Sequence, residues 1–170
     1  MFMANVRNVL TNSDIHYVSD VQQEVLGKIA TTADGRVYRY VRIGGNVVPG
    51  DKVIAQKSNK NGNAEAASAG MSTLKIAATF TADEVVKFTD AIITIANVPY
   101  LVQGVNTNGY ISLADALDFD VPANTPASID SNVFNGVVKG AAGNEALGVM
   151  EVKAKAGDYT WIREGGGKIA

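Results

Sequence analysis

The amino-acid sequence predicts an all-β protein, built as a sandwich or as barrel-like lobes of short antiparallel strands with an extended N-terminal arm. Three observations lead there. β-prone runs are short, with period-two alternation of apolar residues in several of them; Gly, Asn and Asp turns break them roughly every 8–15 residues; and no stretch carries the 3.6-residue period of a long amphipathic helix. Seventeen glycines fit the same picture, because glycine serves turns better than helix interiors.

Residues 1–22 read as an arm, since Asn5, Asn8, Asn12, Ser13, Asp14, Ser19 and Asp20 interrupt every apolar pair. A β-rich body then runs over 23–170. Residues 25–32 and 36–43 form two β-prone runs around Ala33-Asp34-Gly35, a strong hairpin signal because Asp-Gly tolerates positive φ at both turn positions. In the second run Val37, Arg39, Val41 and Ile43 share one face, and Arg36, Tyr38, Tyr40 and Arg42 the other. Pro49-Gly50-Asp51 turns the chain into a strand over 52–56. Residues 57–72 hold almost no large apolar side chain and read as a long loop or linker. An inserted or second β lobe is expected over 73–127, with strands at 73–79, 91–97, 100–105 and 110–113, and Thr107-Asn108-Gly109 turning between the last two. Within it, residues 81–88 can form a short helix capped by Thr81, with Asp83 and Glu84 in its first turn. Residues 121–126 read as a connector, followed by strands at 134–139, 146–152 and 159–163. Ala156-Gly157-Asp158 echoes Pro49-Gly50-Asp51 ahead of a strand, and Trp161 reads as core with Tyr159 and Arg163 on its side.

Composition narrows the function classes. The formal net charge is −2, which argues against a nucleic-acid binder needing a strongly basic face. Charge is unevenly placed: residues 61–135 carry two basic and eight acidic residues, between mildly basic flanks. Cysteine is absent, so disulfides and thiolate zinc sites are excluded. The first ten residues lack the apolar stretch of a signal peptide, and no run approaches the roughly 18 apolar residues of a membrane span. No Asn-x-Ser/Thr glycosylation acceptor occurs. The expectation is a protein made in a cytoplasm, with no membrane and no nucleic-acid partner.

Candidate chemistry is sparse. His16, the one histidine, falls in the arm, where neither an orienting partner nor a shielded pocket is expected. Gly165-Gly166-Gly167-Lys168 lacks the earlier glycine and the Ser/Thr of a phosphate loop. Asp115, Asp118 and Asp120 miss the spacing of a calcium loop, leaving at most a weak ion site between subunits. No catalytic, cofactor or metal site is therefore expected. Arg36, Tyr38, Arg39, Tyr40 and Arg42 form the most distinctive cluster. Such a strand can pack its tyrosines under arginine stems, sit at a protein interface, or stack single-stranded bases; the net charge disfavours the last. Arg7, His16 and Tyr17 join it as interface candidates, because an arm can order on a neighbour.

Several stretches resemble the decoration, or cement, proteins of tailed-bacteriophage heads. They are Leu26-Gly27-Lys28-Ile29, Asp34-Gly35-Arg36-Val37-Tyr38-Arg39-Tyr40-Val41 and Val47-Val48-Pro49-Gly50-Asp51-Lys52-Val53. Ser131-Asn132-Val133-Phe134-Asn135-Gly136-Val137-Val138 and Gly148-Val149 are similar to that family's later strands. The most specific piece runs Ala156-Gly157-Asp158-Tyr159-Thr160-Trp161-Ile162-Arg163-Glu164-Gly165-Gly166-Gly167, a turn, an aromatic pair and closing glycines. The resemblance covers about residues 25–56 and 128–170 and is weaker between them. It implies a head-stabilising virion structural protein on the capsid exterior, without cofactor or catalytic residues. Its partners would be the major capsid protein and copies of itself, as a homotrimer. The alternative is a phage tail or receptor-binding β module; a small β-barrel enzyme would need a pocket of converging ionisable groups.

Overall fold

The turn after the first long strand shows how local chemistry sets this architecture. In the computed structural model, which describes residues 9–170, β2 (Ile29–Thr32) and β3 (Val37–Ile43) pair antiparallel around Ala33-Asp34-Gly35. Only Gly35 takes positive φ (89°), and the Gly35 N–H donates to the Thr32 carbonyl. This is a three-residue loop with one left-handed position, rather than a turn with two.

Two units make up the chain: one holds Val133–Ala170 with the described residues up to Gln56, and the other is Lys57–Asn132. In the first, β3, β11 (Asn135–Lys139), β4 (Lys52–Ile54), β12 (Gly148–Val149) and β13 (Tyr159–Glu164) pair in that order, and β13 returns to β3. That closure makes a five-stranded barrel. One edge of β3 serves two partners, β2 along its first half and β11, in parallel, at its end. Val41, Ile43, Val53, Val137, Met150 and Ile162 fill the barrel. The other face of β3 and β13 carries Tyr38, Tyr40, Tyr159 and Trp161, packed with Ile15, Leu26 and Ala30 as a second core. β3 thus packs on both faces, with Val41 and Ile43 turned into the barrel and Tyr38 and Tyr40 into the second core, while Val37, Arg39 and Arg42 are half-buried.

Residues 1–8, including the interface candidate Arg7, lie outside the described residues. From Val9 the segment expected as an arm is packed on its own barrel. β1 (Val9–Leu10) adds parallel to β2, and α1 (Asn12–Ile15) is closed by a Thr11–Asp14 capping box. Ile15 is fully buried, and Ser19 exchanges two backbone hydrogen bonds with Tyr159. Of the described polar residues that interrupt the apolar pattern, Asn12, Ser13 and Asp14 form the first turn of α1, and the Ser19 hydroxyl accepts from the Val21 N–H.

The second unit is a six-stranded sheet in the order β5 (Asn59–Ala64), β10 (Thr125–Asp130), β7 (Ile92–Ile95), β8 (Val98–Val105), β9 (Tyr110–Leu113) and β6 (Thr73–Lys75). It curls into a half-barrel whose end strands meet at an Ala64–Ile76 bridge. Leu74, Phe88, Ile93, Ile95, Val102, Ile111 and Ile129 lie in its core. α2 (Ala82–Lys87) has the expected Thr81 cap, reinforced by Glu84. Residues 57–72 are not simply a loop. β5 pairs with β10 along all six residues, and its inward positions are Lys60, Gly62 and Ala64. A Cβ at Gly62 would lie 3.0 Å from the Ala77 carbonyl oxygen, so close approach of backbone replaces large side chains there. The connector expected at 121–126 ends inside β10, where Pro126 pairs opposite Asn63 of β5.

Candidate interaction surface

β3 and its neighbours decide what the Arg/Tyr cluster can do. Tyr38 and Tyr40 turn into the second core and are buried, so their rings form no exposed stacking platform. Tyr40 lies edge-on to Trp161, with ring centroids 5.2 Å apart, and its hydroxyl accepts from the Gln23 N–H. Tyr38 donates from its hydroxyl to Glu151 at 2.9 Å and accepts from Arg36 at 3.2 Å. Burial first, and then the Glu151 carboxylate, push its pKa up to about 12, so Tyr38 holds its proton at neutral pH.

The three arginines are each engaged within the barrel unit. Arg36 pairs with Asp34 at 3.0 Å; Arg39 with Glu164 at 3.2 Å, with the Gly27 carbonyl and with the Phe134 ring; Arg42 donates to Asn135. Asp34 is held below the usual carboxylate range by hydrogen bonds from Thr32 and Arg36. Glu151, which no sequence motif marks, is the centre of the group: Tyr38 at 2.9 Å, Arg163 at 3.7 Å and His16 at 4.0 Å surround it. The structure therefore brings His16 and Tyr38 to one carboxylate, leaves Arg36 one step away on the Tyr38 hydroxyl, and sets Arg39 and Arg42 apart from it.

Tyr17 remains available. It is 58% exposed, and so are Val9 (53%), Val21 (59%), Val25 (57%) and Ile29 (47%), five large side chains within one short segment. Val9 pairs with Thr31, two residues along β2 from Ile29, so Val9 and Ile29 share an outward face. β1 ends the sheet order, and its outer edge pairs with no strand among the described residues. Beside it lies an open depression of about 400 Å³ that Leu10, Asp14, Tyr17 and Glu24 help to line. Sequence reading found Tyr17 but not the four aliphatic residues, because a short apolar run gives no sign of which members face outward.

Elsewhere the candidate groups are dispersed. Asp118 accepts from the Tyr100 hydroxyl at 3.4 Å and Asp120 from the Ala69 N–H at 2.8 Å. Among the described residues no three His, Cys, Asp or Glu side chains gather to hold a metal ion, and no helix is long and apolar enough to cross a membrane. Lys168 forms an isolated bridge with Glu145, with Gly166 packed near Val149. No family model, curated protein or solved structure matches this chain.

Proposed function

We propose that this chain is a non-enzymatic virion structural protein that binds the outer surface of a phage capsid and bridges neighbouring capsid subunits, self-associating as a homotrimer. The observation that carries the proposal is the set of exposed large side chains Val9, Tyr17, Val21, Val25 and Ile29, beside the outer edge of β1, which pairs with no strand among the described residues. Large aliphatic and aromatic side chains concentrated on one segment favour burial against a partner, at about 25 cal/mol per Å² of apolar surface removed from water. A strand edge adds main-chain hydrogen bonds to such a contact. The stretches similar to decoration proteins lie almost wholly in the barrel unit that bears this surface. A repeating shell multiplies a modest single-site affinity when the ligand is itself oligomeric.

The test is addition of purified protein to expanded phage heads that lack it, followed by sedimentation and copy counting by mass spectrometry. Hundreds of copies per particle, with a higher temperature of particle disruption, are the expected result. A handful of copies, located at the tail, would replace this reading with a tail module. The doubly substituted Val21→Asp/Val25→Asp protein should bind heads at least about tenfold more weakly, an effect of roughly 1.4 kcal/mol, while melting as the parent does.

A further inference from the structure

On the outward face of the second unit's sheet lies an open depression of about 540 Å³, within the size range of small-ligand sites. Three strands build it in register. Ser128 on β10 pairs with Asn61 on β5 and with Thr94 on β7, which sets an amide and two hydroxyls in one row across the sheet. Pro126 stands opposite Asn63 in the next row. Asn97 is held at the β7–β8 corner in the left-handed region (φ 66°) after Ala96 (φ 49°), so a tight turn fixes its backbone.

The chemistry of this surface is unusual for the chain. Lys and Arg number 15 and Asp and Glu 17 in the whole sequence, yet no lining residue is ionisable. Asp130, further along β10, is tied to the Asn59 amide at 2.7 Å. By contrast, the side chains of Asn61, Asn63, Thr94 and Asn97 make no hydrogen bond to any described residue. Each amide offers both a donor and an acceptor, and each hydroxyl does the same.

We infer that this depression is a binding site for a neutral saccharide. Sugar hydroxyls are paired donors and acceptors, matching amides and hydroxyls without requiring a counter-charge. Ala96 and Pro126 stand among these polar groups and offer small apolar surfaces against which the C–H face of a sugar ring can lie. An anionic ligand or nucleic acid would find no cation here, and a metal ion no carboxylate. An apolar ligand would strip water from four unpaired polar side chains and return nothing. A protein partner would be expected to find an aromatic or arginine anchor, and the lining has neither. This site is independent of the capsid reading, and either can fail without the other.

The experiment is an NMR titration of the ¹⁵N-labelled full chain with neutral oligosaccharides of glucose, galactose, mannose and N-acetylglucosamine, alongside sialylated and sulfated glycans. Saturable shifts are expected at the amides of Asn61, Asn63, Thr94, Asn97 and Ser128 with at least one neutral glycan. Asn61→Ala/Asn63→Ala should weaken that binding about tenfold or more, and Ser128→Leu should do the same by filling the depression, both with unchanged melting. No response to any neutral glycan, response to the anionic glycans alone, or binding indifferent to both variants would each overturn the inference. So would shifts that track protein concentration instead of glycan, which would mark the face as a contact between copies.

Discussion

At the scale of single residues, the carboxylates show how the chain stabilises its turns. Asp51 accepts from the Val48 N–H at 3.0 Å, and Asp158 from the Lys155 N–H at 2.9 Å, each across a left-handed glycine (Gly50 and Gly157). The Pro-Gly-Asp and Ala-Gly-Asp echo in the sequence is therefore one turn used twice, and Ala141–Asn144 repeats it with an amide at 2.9 Å. The Val48 N–H is the main cause that lowers the Asp51 pKa, with Lys139 adding to it; the Thr11 N–H does so for Asp14, and Lys60 with the Thr81 N–H for Glu84. A folded-state pKa below the unfolded one contributes stability that is present above the unfolded value and lost as pH falls through the folded value. Thermal melting should accordingly hold steady above about pH 5 and fall below about pH 4. Asp51→Asn should flatten part of that fall; a melting temperature that rises on acidification would contradict the sign. At Tyr38, removal of the hydroxyl by Tyr38→Phe leaves Glu151 without its shortest hydrogen bond. Chemical denaturation should show a loss of about 1–2 kcal/mol.

Among the elements, glycines separate backbone strain from steric exclusion. Gly35 and Gly109 both take φ near 90°, but a Cβ on Gly35 meets open space, whereas on Gly109 it would lie 2.3 Å from the Ala78 carbonyl oxygen. Gly35→Ala should cost about 1 kcal/mol for the left-handed backbone alone. Gly109→Ala should cost clearly more, because the Ala78 backbone must also move; equal losses by denaturant titration would refute the steric account. These hairpins were legible from Asp34-Gly35 and Asn108-Gly109, as was the α2 cap from Thr81, whereas the reciprocal bond from Glu84 emerges only in the structure. β5 was not legible, since Asn59–Ala64 buries an alkyl stem, a glycine and a methyl group instead of large apolar side chains. β10 was masked by Pro126, and α1 by being one turn long. The interface cluster was legible as a composition and not as a geometry: alternation placed Tyr38 and Tyr40 together, but only the second core shows that their side of the strand is covered as well.

The whole molecule is organised by one insertion. Sequence reading placed a second lobe at 73–127, whereas the unit spans Lys57–Asn132, because β5 supplies its first strand. Its two ends leave side by side: the Ser131 N–H donates to the Ser58 carbonyl at 2.8 Å, and the Ser58 N–H to the Ser131 hydroxyl at 2.8 Å. A unit with its own core and adjacent ends is the arrangement in which insertion leaves a host fold closed. All five barrel strands and both of their cores lie outside Lys57–Asn132. Replacing that segment by a short Gly-Ser linker should therefore leave a protein that melts cooperatively and resists proteolysis. If the surface from Val9 to Ile29 is what meets the shell, the shortened protein should still sediment with expanded heads, and it should no longer respond to neutral glycans. Loss of head binding in a cooperatively folded deletion would move the shell contact to the inserted unit. Loss of folding itself would mean that the two cores stabilise each other, and the exposed aliphatic segment would then be tested by the Val21 and Val25 substitutions in the full chain.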